Sequence, residues 1–136
     1  MERKVKEKIK DKVAINIKWL PLPEDHNYPA ADSYLSLIFD PKTVTGLINE
    51  LKKVKMTSFK AKDIFRAAEL SLLGVSNSHV KSNQKKIMAG EAISPLLLVR
   101  AKSNGKVIIA DGYHRMCAVY GFNEDSIIPC KIVWIN

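Results

Sequence analysis

Between Val107 and Ala118 the chain reads Val-Ile-Ile-Ala-Asp-Gly-Tyr-His-Arg-Met-Cys-Ala, an apolar run that stops at a carboxylate and a glycine before a new period begins. The pattern predicts a strand, a tight turn at Gly112 and a helix opening at Tyr113. The first amides of a helix lack intrahelical acceptors and sit at the positive end of its dipole, so an anion placed there meets donors already oriented. His114 and Arg115 add side-chain donors at that end, and a guanidinium fork matches phosphate oxygens in pairs. Cations in a first turn oppose the dipole, and an anionic ligand is one explanation for two of them. A plain turn explains the same residues, with Asp111 as cap, Gly112 as bend, and His114 and Arg115 in solvent. Two catalytic duties are also open to Asp111: accepting a proton, or holding Mg²⁺ beside phosphates.

The elements around this turn are expected to run helices first, then α-β-β-α-β. Val5, Ile9 and Val13 recur at helical spacing in a segment that reads equally as a short helix or a basic arm. Pro21, Pro23 and Pro29 mark an irregular connection, and Ala31, Tyr34, Leu35 and Ile38 predict a helix over 30–39. Asp40 followed by Pro41 is an N-cap and first helical position, opening the stripe Val44, Leu47, Ile48, Leu51 and Val54. A third helix is predicted from Phe59 to Leu70, and a fourth from His79 to Ala89, stopped by Gly90. Pro95 to Arg100 and Lys106 to Ala110 read as strands of a hairpin around Ser103-Asn104-Gly105. A helix from Tyr113 to Tyr120 and a strand from Pro129 to Ile135 complete the chain. The expected fold is a small mixed α/β (α+β) sheet with packed helices, in one compact unit. Residues 1–75 would form a basic helical extension and 76–136 the core that carries the turn.

The run Asp-Gly-Tyr-His-Arg-x-x-Ala after a hairpin, followed by Ile-Pro-x-Lys-Ile-Val, resembles the ParB/sulfiredoxin superfamily, including its ParB-like nuclease domain. The resemblance covers Ser76 to Val133, under half the chain. It implies a nucleotide ligand (ATP, ADP or CTP, with or without Mg²⁺) held at Gly112, Tyr113, His114 and Arg115. His79-Val80-Lys81-Ser82 is similar to the family's phosphate-reaching stretch, so Lys81, Ser82 and Lys86 are implied opposite that turn. Lys86 departs from the family's hydroxyl residue; without the family, Ser82 and Lys86 are one exposed helical face. Tyr113 stands where sulfiredoxins carry the catalytic cysteine, which speaks against their chemistry here. Partition-type relatives carry Gly-Glu-Arg-Arg at this turn and a helix-turn-helix domain after it, and neither is found in these 136 residues. The Asp-Gly-x-His-Arg form is more similar to the superfamily's free serine kinases, which implies a phosphotransferase or nucleotide hydrolase with Asp111 as its catalytic carboxylate.

Composition bounds the alternatives. Lys+Arg 22 against Asp+Glu 14 gives +8 over 136 residues, an excess that favours polyanions. Lys52, Lys53, Lys55, Lys60 and Lys62 form the candidate surface for DNA or RNA, the basis of a second expectation: a non-catalytic nucleic-acid-binding or interaction module. Solvated lysines on neighbouring helices are the plainer account of the same cluster. No apolar run approaches the ~20 residues of a membrane-spanning helix, and Met1 to Lys6 is charged where a secretory signal would be apolar. Two cysteines make neither a disulfide framework nor a zinc site, and a reducing, cytoplasmic setting is expected. His26 and His79 lack ligand spacing, so no metal site is expected on them.

Overall fold

The computed structural model describes residues 16–101 and 103–135. The segment expected as a short helix or basic arm at the start of the chain lies outside them. In chain order the elements are α1 (Asn27–Leu35), α2 (Pro41–Lys53), β1 (Thr57–Lys60), α3 (Ala61–Ala68), α4 (Ser78–Met88), β2 (Leu96–Ala101), β3 (Lys106–Asp111), α5 (Tyr113–Phe122) and β4 (Ile127–Ile135). The four strands form one mixed sheet in the order β1-β4-β2-β3, so the architecture is α+β.

Alternation along the strands sorts the core into two layers. Leu96, Leu98, Ile109, Ile128 and Cys130 face one way, under Ala61, Ile64 and Ala68 of α3, Val80 and Ile87 of α4, and Met116 to Val119 of α5. Leu97, Val99, Ala110 and Val133 face the other way, against Ala31 and Leu35 of α1 and the predicted stripe Val44, Leu47, Ile48 and Leu51 of α2. The central strands are therefore apolar on both faces, which explains why Pro95 to Val99 reads as an unbroken hydrophobic run rather than an alternating one. Asp40 caps α2 by accepting from the Thr43 amide at 2.7 Å, with Pro41 at its first position. Lys131 is buried beneath the end of the same helix and donates to the Lys52 carbonyl at 3.1 Å, satisfying one of its orphan acceptors.

Among the boundaries that differ from expectation (the first helix also ends at Leu35 rather than Phe39, and the last strand begins at Ile127 rather than Pro129), two have identifiable reasons. The predicted helix from Phe59 is corrected: Thr57–Lys60 is an antiparallel edge strand, with Thr57 opposite Cys130 and Lys60 opposite Ile127. The helix begins only at Ala61, where the chain turns over the sheet, and stops at Glu69 in the left-handed region (φ 55°). α1 starts at Asn27 rather than Ala30, because Pro29 falls in a first turn that tolerates a missing N–H. The proline-rich connection before it is held by Ile93, whose amide donates to the Lys18 carbonyl and whose carbonyl accepts from the Leu20 amide.

The β2–β3 hairpin carries an irregularity that matters for the turn. Its register steps from Leu98 opposite Ile109 to Leu97 opposite Asp111, so β3 holds one extra residue, Ala110. A bulge of this kind bends its strand and re-aims the residues that follow, here Asp111 and Gly112.

Because Leu98 is fully buried at the sheet centre and Leu37 is 85% exposed, truncating them should have opposite outcomes. Leu98→Ala is expected to cost about 3 kcal/mol in urea denaturation, and Leu37→Ala less than about 0.5 kcal/mol.

Candidate functional site

Gly112 is the hinge of the predicted turn. Its backbone sits at φ +107°, ψ 15°, a conformation L side chains rarely adopt, immediately before α5. A Cβ there would lie 2.7 Å from Leu96 Cγ and 3.0 Å from Arg115 Nη2, so space as well as conformation selects glycine. A glycine has no side chain to cap the helix that follows, and the first intrahelical bond runs from the Met116 amide to the Gly112 carbonyl at 2.9 Å. No carbonyl or side chain among the described residues accepts from the amides of Tyr113, His114 and Arg115. By contrast, α4 begins closed, because the Asn77 side chain accepts from the amides of His79 and Val80.

Arg115 does not reach outward. Its Nε donates to the Ser94 carbonyl at 2.9 Å, and its Nη2 donates to the Pro95 carbonyl at 3.2 Å and to Asp111 Oδ2 at 2.9 Å. Both side chains are largely buried, at 17% and 16% exposure. Ser94 is itself buried and its hydroxyl donates to the Glu24 carboxylate, so the network reaches the proline-rich connection. The fork predicted for phosphate oxygens is thus occupied by protein oxygens that fix the turn. Proton transfer or Mg²⁺ binding at Asp111 Oδ2 would first have to displace Arg115, which leaves Asp111 better placed as a structural partner than as a catalytic carboxylate.

Tyr113 and His114 line open space. Together with Ile109, Ala110, Asp111 and Gly112 they form one side of a cleft of ≈ 400 Å³, whose other side is Ala30 and Tyr34 of α1 and Leu70 after α3. The Tyr113 hydroxyl donates to the Ser71 carbonyl, and burial raises its pKa. Cys117, one turn on, is buried beside Tyr113, and burial raises its thiol as well. Cys130, deep in the sheet, is pushed up to about 12 by burial. Neither thiol has the thiolate character a nucleophile needs.

His114 and His79 lie ring against ring, centroids 4.8 Å apart, which brings the starts of α4 and α5 side by side. Burial, and then the neighbouring His79, lower the His114 pKa from its ordinary 6.5. The two helices run in the same direction, since Gln84 Nε2 donates to the Ala118 carbonyl and also lies against Gly121. Lys86, two residues beyond Gln84, therefore stands alongside the far end of α5, away from Gly112. Ser82 shares the His79 face, whereas Lys81 is displaced from His79 by about 200° around the helix. All three are exposed; Lys81 lies on another side of α4 and Lys86 two turns along it, while Ser82 stays on the face that meets His114.

Nor do the lysines proposed for nucleic acid act as one group. Lys60 and Lys62 lie 3.9 and 2.7 Å from Asp125, and that carboxylate raises the Lys62 pKa. Lys52 and Lys53 are exposed in the last turn of α2, and Lys55 is exposed between α2 and β1. With Lys60 they flank an edge strand, where lysines discourage pairing with another chain.

None of the helices among the described residues is long and apolar enough to cross a membrane, and these residues contain no group of three or more His, Cys, Asp or Glu side chains that could hold a metal ion. Fold and turn together define an α+β protein with a cleft at one strand-to-helix junction. Compared with models of known families, with curated proteins and with solved structures, the chain has no match.

Arg115→Ala would leave Asp111 buried without its cation and free two carbonyls. The variant is expected to lose about 3 kcal/mol in urea denaturation, and Asp111→Ala a similar amount, with the double variant costing less than the sum. A histidine with a lowered folded-state pKa binds its proton more readily when unfolded. Stability should therefore fall as pH drops below about 6.5 and level off below the folded value, and His114→Gln should flatten that part of a melting-temperature profile.

Proposed function

We propose that this protein binds a small phosphate-bearing ligand, a nucleotide foremost, in the cleft between α1 and the start of α5. The observation that carries the reading is the opening of the ≈ 400 Å³ cleft onto Gly112, at an uncapped helix start whose amides have no acceptor among the described residues. Its size falls in the ordinary range for small-molecule sites. Phosphate oxygens would accept from the amides of Tyr113 and His114, with the dipole of α5 behind them. The His114 ring supplies a further donor at the same end. Tyr34, 42% exposed on the opposite wall, offers an aromatic face on which a base stacks. The resemblance of Ser76 to Val133 to nucleotide-binding folds points the same way.

The reading is one of binding. Arg115 serves it indirectly, by holding Asp111, Ser94 and Pro95 so that the amides keep their direction. Phosphoryl transfer or hydrolysis would need a carboxylate or metal brought to the phosphates from elsewhere.

ATP, ADP, CTP and inorganic phosphate, each added in excess, should raise the melting temperature. A ligand at one hundred times its Kd adds about 2.7 kcal/mol. His114→Ala should reduce every one of these shifts, while Tyr34→Ala should reduce the nucleotide shifts and leave the phosphate shift unchanged. A panel in which neither nucleotides nor phosphate move the transition would refute the assignment, as would shifts indifferent to His114.

A further inference from the structure

At the opposite end of the sheet from Gly112, a second cavity of ≈ 170 Å³ lies beneath α3. Its walls are mostly apolar and include Phe59, Leu98, Val107 and Ile132. Arg100 belongs to the same lining, at the end of β2. The sheet register sets it between Val107 on β3 and Trp134 on β4. Its guanidinium lies 4.9 Å from the Trp134 ring centroid and 5.6 Å from that of Phe59.

What distinguishes Arg100 is its lack of polar partners. Among the described residues its guanidinium makes no ion pair and no hydrogen bond, although the residue is half-buried. Asp63 lines the same cavity but lies beyond ion-pair distance of Arg100. The positive charge of Arg100 reaches inward far enough to lower the Cys130 thiol against the effect of burial. Stacking engages the faces of a guanidinium and leaves its in-plane N–H groups free, in the fork that fits a carboxylate. A cavity of about 150 Å³ lined by aliphatic side chains accepts a benzene-sized guest, so the apolar part of a ligand of that size fits here.

We propose that this cavity binds a small apolar carboxylate, its ring or alkyl body against Phe59, Leu98 and Ile132 and its carboxylate on the Arg100 fork. The site is separate from the cleft at Gly112 and does not depend on what that cleft binds.

Trp134 provides the readout. In a Trp19→Phe background it is the sole tryptophan, since the chain has two. Benzoate is expected to change its fluorescence saturably, and benzamide, the neutral counterpart of the same shape, to bind at least ~10-fold more weakly. Arg100→Gln should weaken benzoate binding by a similar factor, and Ala67→Leu, which fills the cavity while keeping Arg100, should remove it. Excess ATP should leave the benzoate titration unchanged. Equal binding of benzoate and benzamide, unchanged binding by a folded Arg100→Gln protein, or a response to benzoate that never saturates would each overturn the proposal. If Arg100→Gln fails to fold, retention of benzoate binding by Ala67→Leu overturns it instead.

Discussion

The Arg115 guanidinium ties together pieces of chain that the sequence keeps apart. It donates to carbonyls 20 and 21 residues earlier, at Pro95 and Ser94, and to the carboxylate of Asp111 one turn before it. Through these contacts the lead-in to β2, the end of β3 and the first turn of α5 are held in a single arrangement. A charge buried this deeply is tolerated only because its donors meet acceptors. Gly112 is compressed against that arrangement, with Leu96 on one side and Arg115 on the other. The direction of the amides at the head of α5 follows from this anchoring, and so does the shape of the cleft they face.

Much of the fold is legible in residue order because local signals and tertiary contacts agree. The Asp40-Pro41 pair, the stripe from Val44 to Leu51 and the Ser103-Asn104-Gly105 turn each specify an element that the core also requires. β1 is not legible, since four residues carry no period and Thr57–Lys60 is a strand only because β4 lies beside it. The role of Arg115 was half visible. Spacing shows a cation at the head of a helix but not whether its fork points to solvent or to the protein. The clue that was available is Asp111 four residues earlier, the spacing at which opposite charges meet on a helix. The parallel course of α4 and α5, which separates Lys86 from the turn, is a packing property with no local signature.

The two ends of the sheet differ in chemistry. Near Gly112 the polar groups are backbone amides and an imidazole, and the side chains of opposite charge neutralise one another within the wall. Near Arg100 the surroundings are apolar and aromatic, and the guanidinium has no partner of opposite sign within ion-pair distance among the described residues. Helices cover both faces of the sheet between these ends, so whatever the strands present to solvent is confined to their termini and edges.

The position of β4 has a consequence for how the chain acquires its structure. It lies between β1 and β2, antiparallel to one and parallel to the other, yet it follows both of them in chain order. During synthesis β1 has no neighbour to pair with, and the apolar side chains of β2 lack one flank, until Ile127–Ile135 has been translated. Assembly of the layered core is thus a late, non-local event, slow in the way that pairings between distant segments are slow. A chain in that interval would carry unpaired apolar surface beside the lysines around β1, residues of the kind that discourage aggregation.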